Sequence, residues 1–143
     1  MLIRDFIRKR GPVLTCHPGD SIADAADKLA QNVIGVMPVI DETTYKLVGM
    51  LSERDVVRAF SKNKASFATM TVNDVMTRKV VSCAPGNSFV DAANLMRHNR
   101  IRHLPIVDDE LLVGLISVRD MLEVFGPTDK QGMLVAPVIA SSR

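Results

Sequence analysis

The sequence predicts a mixed helix and strand fold of the α/β (α+β) class, in which two βαββα repeats pack about a pseudo-two-fold axis. Three observations predict it: an internal repeat, apolar spacings that alternate between strand and helix periods, and serines that mark helix starts. Residues 13–26 match residues 80–93 at an offset of 67. Residues 47–55 match residues 112–120 at an offset of 65, because the second hairpin loop is two residues shorter.

The first repeat shows a turn and helix signals in chain order. Pro18 and Gly19 turn the chain, and Ser21 followed by Asp24 has the spacing of a helix capping box. Apolar residues every three or four positions then predict a buried helix face made of Ile22, Ala25, Ala26, Leu29 and Val33. The predicted elements are a strand at 13–15, this helix, a strand at 36–40, a hairpin turn at 41–46, a return strand at 47–51 and a helix at 53–60.

The second repeat predicts the same elements in the same order. In the last helix of each repeat the apolar residues predicted to face inward are Val56, Val57 and Phe60, and Met121, Leu122 and Phe125. A leading segment at 2–10 and a linker at 61–78 also resemble each other. We expect the first repeat with its leading segment to span 1–66 and the second to span 67–126, and we assign no role to the tail at 127–143.

Composition excludes several classes of protein. The chain has 143 residues, 47% hydrophobic and 24% charged, which is typical of a globular protein and not of a disordered chain or a coiled coil. The net charge of +2 and the scarcity of aromatic residues argue against nucleic-acid binding. No apolar run reaches the roughly 18 residues of a membrane span, and the start does not resemble a signal peptide. We expect a cytoplasmic protein without membrane contact.

Motifs for catalysis are missing from the sequence. It contains no P-loop, no dinucleotide-binding glycine motif, no nucleophile elbow and no zinc-protease motif. Two cysteines are too few for a disulfide framework, and we expect both to be small buried residues. A metal site made of Cys16, His17 and Cys83 is a minor alternative, so the main prediction is no catalytic residue and no metal ligand.

The pattern Gly-x-x-Ser-x-Arg-Asp occurs twice, at 49–55 and 114–120. Ser followed by Asp three residues later is what a helix start needs for capping. In these two copies, however, the serine directly follows a strand, so the helix start could face a cleft with free N–H groups suited to a phosphate. The carboxylate could then accept the two hydroxyls of a ribose. Capping and ligand binding are compatible, and the sequence leaves both open.

A basic segment in the second repeat distinguishes the two clefts. Arg102 and His103 stand at the start of a buried strand, where the first repeat has Gly35 and Val36. A guanidinium and an imidazole there could hold a phosphate, and we expect them beside the cleft of Ser117 and Asp120. The sequence therefore predicts the stronger anion site in that second cleft.

These repeats, the Pro-Gly turns, the segment Leu104-Pro-Ile-Val-Asp108 and the doubled Gly-x-x-Ser-x-Arg-Asp together resemble a tandem cystathionine-β-synthase (CBS) domain pair, or Bateman module. The resemblance covers about residues 2–125 and is greatest to small stand-alone bacterial members. It implies that Asp55 and Asp120 bind ribose hydroxyls and that Ser52 and Ser117 lie near phosphates. The remaining ligand-binding residues it implies are Arg54, Arg119, Arg102 and His103, with Thr15, Pro18, Ile22, Val39 and Ile40 beside one adenine and Ser82, Pro85, Phe89, Ile106 and Val107 beside the other.

The resemblance implies a regulatory, non-enzymatic module that senses an adenosine nucleotide, namely AMP, ADP, ATP or NAD(H), as energy sensors of this family do. It also implies a homodimer formed through helices and an effector protein of unknown identity. The alternative is a structural or protein-interaction module with unoccupied clefts, in which the Ser and Asp residues serve only as caps. A nucleotide-metabolising enzyme is a third and weaker reading. The nucleotide's identity and any Mg²⁺ requirement stay open.

Overall fold

The computed structural model of the chain describes residues 1–126, and the tail at 127–143 lies outside the described residues. The helices are α1 (Ile3–Ile7), α2 (Ile22–Gln31), α3 (Glu53–Asn63), α4 (Val72–Val75), α5 (Phe89–Asn99) and α6 (Val118–Phe125), and a 3-10 helix spans Lys64–Thr69. The strands are β1 (Val36–Ile40), β2 (Leu47–Ser52), β3 (His103–Asp108) and β4 (Leu111–Ser117). Across residues 1–126, every helix is too short or too polar to cross a bilayer.

Each repeat is built on an antiparallel hairpin, β1 with β2 and β3 with β4. The predicted first strand of each repeat is reduced to a single parallel bridge, Cys16 with Val39 and Cys83 with Ile106. In the first repeat the Cys16 N–H donates to the Pro38 carbonyl at 3.1 Å and its carbonyl accepts from the Ile40 N–H at 2.9 Å. The predicted mixed fold of two repeats is thus confirmed, with a one-residue contact where a third strand was expected.

The two repeats bury separate apolar cores. A third of the buried residues of the first core come from α2, whose Ile22, Ala25 and Leu29 are buried at the predicted spacing. The helix-face prediction is wrong at Val33, which is 91% exposed because α2 ends at Gln31. It is also wrong for three residues of the last helices, Val57, Phe60 and Leu122, which are 66%, 55% and 45% exposed.

The leading segment and the linker cross over between the repeats. Ile3 of α1 is fully buried in the core of the second repeat, and its N–H donates to the Asn87 carbonyl at 2.9 Å. Val72 of α4 is fully buried in the core of the first repeat, where the Ile22 N–H donates to the Met70 carbonyl. Each repeat therefore completes its core with the segment that precedes the other one. The boundaries at 1–66 and 67–126 stay a prediction.

Two glycines allow this crossed packing. A Cβ on Gly49 would lie 2.8 Å from the Met76 Sδ, and a Cβ on Gly114 would lie 2.9 Å from the Ile7 Cγ2. Real Cβ atoms are not found this close to their neighbours, so these strands need glycine where the exchanged segments pass over them. The glycine of the repeated motif thus has a packing role, and it brings the end of each exchanged segment beside the Ser and Asp of the same motif.

Candidate functional site

Two clefts lie where the repeats meet, and each draws on both. The first cleft has a volume of about 460 Å³, and the second has a volume of about 790 Å³. The first is lined by Gly35, Val36, Met50, Ser52, Glu53, Arg54, Asp55, Thr77, Lys79, Val80, Val81, Arg100, Ile101, Arg102, His103 and Pro105. The second is lined by Arg10, Val33, Ile34, Gly35, Val36, Arg102, His103, Leu115, Ile116, Ser117, Val118, Arg119, Asp120, Leu122 and Glu123.

Strand-to-helix junctions position the two motif carboxylates. β2 runs directly into α3, and Ser52 at the junction accepts a hydrogen bond from the Asp55 N–H at 3.0 Å while its own N–H donates to the Asp55 Oδ2 at 3.0 Å. Ser117 and Asp120 repeat this arrangement where β4 runs into α6. These reciprocal bonds are full capping boxes, so the capping role expected from the sequence is present in both clefts.

The helix starts offer fewer free donors than the sequence analysis expected. The first helical N–H of α3, on Glu53, donates to the Gly35 carbonyl, and that of α6, on Val118, donates to the Arg102 carbonyl, both at 2.9 Å. The cap and third positions are used within the capping boxes. Within residues 1–126 this leaves the N–H groups of Arg54 and Arg119 as the early donors without a partner outside the helix. Most anion binding must therefore come from side chains.

The two carboxylates have different surroundings. Asp120 is only 3% exposed, and its Oδ1 accepts from the Arg10 Nη1 at 2.8 Å. Asp55 is half-buried, and its Oδ2 lies 3.5 Å from the Thr77 hydroxyl. Among the described residues no donor is within hydrogen-bond distance of the Asp55 Oδ1. One carboxylate is therefore engaged by a cation, whereas the other keeps an oxygen available for a ligand.

Arg102 and His103 line both clefts, although the sequence analysis assigned them to the second alone. They share this position with Gly35 and Val36 at the start of β1, which also line both clefts. Two further basic residues that the sequence analysis missed, Lys79 and Arg100, line only the first cleft. The first cleft is thus the more basic of the two around its open carboxylate, which moves the predicted anion preference away from the second cleft.

His103 is half-buried, and desolvation by burial lowers the pKa of its imidazole below the usual value of 6.5. The nearby Asp120 carboxylate raises this pKa and the Arg102 guanidinium lowers it, with burial as the largest cause. At neutral pH the imidazole is therefore mostly uncharged. It adds a hydrogen-bonding group to the clefts, and Arg102 supplies the charge.

A stability measurement tests the state of His103. Because its pKa is lower in the folded than in the unfolded protein, the unfolded chain binds more protons as pH falls through about 6.5, and stability is lost on the acidic side. We expect His103→Gln to remove part of the loss in free energy of unfolding between pH 7 and pH 5, measured by urea denaturation. His98→Gln, at an exposed position, is the matched control. An unchanged pH dependence in His103→Gln would contradict the lowered pKa.

The residues expected beside adenine lie outside both clefts. The set is Thr15, Pro18, Ile22, Val39, Ile40, Ser82, Pro85, Phe89, Ile106 and Val107. Val39 and Ile106 are fully buried because their bridges with Cys16 and Cys83 turn them into the cores. The apolar wall of the first cleft is formed instead by Val80 and Val81, which lie just before the bridge at Cys83. The corresponding Val13 and Leu14 line a groove of about 270 Å³ that adjoins the second cleft.

The two cysteines are separated in different cores. Cys16 is 1% exposed and Cys83 is 6% exposed, as expected for small buried residues. Burial raises the pKa of each thiol to about 11, so both remain protonated and poor ligands or nucleophiles at neutral pH. The minor alternative of a metal site made of Cys16, His17 and Cys83 is wrong, because the cysteines do not meet. Within the described part of the chain, no group of three His, Cys, Asp or Glu side chains is arranged to hold a metal ion.

The comparison with protein families decides the identity of the fold. The model of the CBS domain matches residues 3–62 and residues 72–126, so it covers both repeats. The chain belongs to the CBS domain family. The resemblance seen in the sequence is thereby confirmed, and the two matched ranges correspond to a tandem pair.

Relatives of this CBS pair include small proteins of similar length. The CBS domain-containing protein YhcV of Bacillus subtilis is 36% identical over 109 residues, which are 76% of each chain. The crystal structure of the CBS-domain containing protein ATU1752 from Agrobacterium tumefaciens has a TM-score of 0.75 at 30% identity, covering 85% of this chain and 97% of that one. The CBS domain pair of protein MJ0100, in complex with 5-methylthioadenosine and S-adenosyl-L-methionine, has a TM-score of 0.76 at 31% identity, covering 88% and 96%.

Proposed function

We propose that this CBS pair is a non-catalytic regulatory module that binds an adenosine nucleotide, such as AMP, ADP, ATP or NAD(H), in a cleft between its repeats. The observation that carries the proposal is the open Oδ1 of Asp55 within a basic cleft of about 460 Å³. The related MJ0100 pair, crystallised with two adenosine-containing ligands, supports the same ligand class.

Each part of a nucleotide has a candidate partner in the first cleft. The Asp55 carboxylate accepts hydrogen bonds from the ribose 2′ and 3′ hydroxyls, which are donors in the geometry that one carboxylate satisfies. Arg102 and Lys79 hold the phosphates, with the N–H of Arg54 adding one donor at the helix start. Val80 and Val81 supply the apolar surface for the adenine ring.

Regulation requires that binding changes what another protein contacts. Three apolar side chains that are 45–66% exposed, Val57 and Phe60 on α3 and Leu122 on α6, support a homodimer formed through these helices. α3 and α6 begin at the capping boxes that line the clefts. A ligand bound at either helix start would therefore change the orientation of that helix in the dimer. An effector protein of unknown identity would detect that change.

Titration calorimetry with AMP, ADP, ATP and NADH tests the proposal. We expect at least one of them to bind the wild-type chain and Asp55→Asn to weaken that binding at least about ten-fold, since hydrogen bonds to a charged acceptor are lost. Asp91→Asn is the matched control, because Asp91 forms the same capping box with Ser88 on α5 but lines neither cleft. A 2′,3′-dideoxy analogue of the bound nucleotide should lose affinity for wild type and not for Asp55→Asn.

The second candidate function is a structural or protein-interaction module. The observation that favours it is the completeness of the capping boxes, which account for Ser52, Ser117 and most of the hydrogen bonds of Asp55 and Asp120 without a ligand. It predicts that no adenosine nucleotide binds to wild type or to either variant. Binding that is equally strong in wild type and Asp55→Asn would contradict the assignment of the ribose to Asp55.

A further inference from the structure

The exchanged segments place different residues at equivalent positions of the two clefts. Thr77 lies at the end of the linker segment, and Arg10 lies 67 residues earlier at the end of the leading segment. The segments themselves align at an offset of 69, which pairs Ile3 with Val72 and Ile7 with Met76, so Arg10 and Thr77 correspond by what they contact and not by their place in the segment. Each of these residues contacts the carboxylate of the repeated motif in its cleft, Thr77 beside Asp55 and Arg10 beside Asp120. The pseudo-two-fold symmetry is therefore broken at the atom that the proposed ribose contact needs.

Arg10 is held in place from two sides. Its Nη1 is 2.8 Å from the Asp120 Oδ1, and its guanidinium lies over the Phe6 ring at 5.0 Å from the ring centroid. Phe6 in turn packs edge-on against Phe89 of the second core at 4.9 Å. Stacking on an aromatic ring and pairing with a carboxylate are both favourable for a guanidinium. The cation is thus anchored to the core of the repeat whose carboxylate it contacts.

All the acceptor atoms of Asp120 are engaged in this arrangement. The Oδ2 accepts from the Ser117 N–H at 2.7 Å and from the Ser117 hydroxyl at 3.2 Å, while the Oδ1 accepts from Arg10. A ribose diol could reach Asp120 only by displacing a charged partner from a nearly buried carboxylate. In the first cleft, the Thr77 hydroxyl at 3.5 Å from the Oδ2 of Asp55 leaves the Oδ1 open.

We infer that Arg10 determines which cleft accepts a ribonucleotide: it closes the ribose position of the second cleft, so that one chain binds one ribonucleotide, in the first cleft. This inference rests on the proposed function, and it goes further by assigning the stoichiometry and the site of binding to a single residue pair, Arg10 and Thr77. Competition with the ion pair reduces ribonucleotide affinity in the second cleft about 10- to 100-fold relative to a cleft with threonine at this position.

A reciprocal exchange of the two residues tests the inference, with AMP and ATP as probes in titration calorimetry. Wild type is expected to bind one nucleotide per chain, Arg10→Thr two, and Thr77→Arg none at comparable affinity. The double exchange is expected to bind one nucleotide again, now in the second cleft. In that background Asp120→Asn should weaken binding and Asp55→Asn should not, which is the reverse of wild type.

Controls keep the result interpretable if one variant unfolds. Arg10→Met retains the apolar stem over Phe6 without the charge and should show the same gain of a second site, and thermal melting monitors folding of every variant. Two equivalent sites in wild type, or a single site that persists in both Arg10 variants, would overturn the inference and leave the proposed function standing. Failure of wild type and every variant to bind AMP, ADP, ATP or NADH would overturn the proposed function and the inference together.

Discussion

Replacing Ile3 by Ala is expected to lower the free energy of unfolding by about 2–5 kcal/mol, the usual cost of truncating a fully buried aliphatic side chain. Ile3 is 0% exposed and packs in the second core, although it lies in the segment that precedes the first repeat. Urea denaturation followed by circular dichroism measures the effect. The size of the loss reflects the cavity left among side chains that cannot collapse around an alanine.

Leu2→Ala is the matched control for Ile3→Ala, because Leu2 is the adjacent residue of the same segment and is 40% exposed. We expect a change within about 0.5 kcal/mol for this exposed site. A loss below about 1 kcal/mol in Ile3→Ala would mean that the leading segment is not part of the second core. The position of Arg10, a few residues further along the same segment, would then lose its structural support.

The sequence was sufficient to predict the repeats, the hairpins and the side-chain caps of the helices, although Ser21 and Asp24 form only one of the two bonds of the predicted capping box. Each of these depends on residues that are close in the chain, such as Ser52 with Asp55, so local spacing determines them. The inward positions of Val57 and Phe60 were wrong because helical spacing shows that residues share a face but not whether anything covers it. The exposed fraction of each side chain depends on which element packs against the helix. The spacing of apolar residues carries no information about that element.

Only the part of the candidate site that comes from the repeated motif was predictable from the sequence. The motif carboxylates line the clefts as expected, whereas Arg10 and Thr77 reach them from the exchanged segments and Lys79 follows directly after the linker. The similarity of the leading segment and the linker was visible in the sequence at an offset of 69, which pairs Ile3 with Val72 and would not have aligned Arg10 with Thr77. It could not show that each segment crosses to the other repeat, since that follows from the close approach at Gly49 and Gly114.

Replacing Arg102 by Ala is expected to weaken nucleotide binding in both clefts, because its side chain lines both. A hydrogen bond between charged groups contributes about 1.5–3 kcal/mol, so the affinity of the wild-type site for AMP should fall about 10- to 100-fold. In the Arg10→Thr background, where a second nucleotide is expected, both binding steps should weaken. Titration calorimetry of the single and double variants separates the two steps.

Arg97→Ala is the matched control, because Arg97 is an exposed arginine in the last turn of α5 and lines neither cleft. It removes the same charge from the same region, so an equal loss in Arg97→Ala and Arg102→Ala would indicate a general field effect that salt should screen. A loss confined to the second binding step would restore the original expectation that Arg102 serves that cleft alone. A loss in both steps with an unaffected control follows only if the guanidinium of Arg102 contacts the ligands of both clefts.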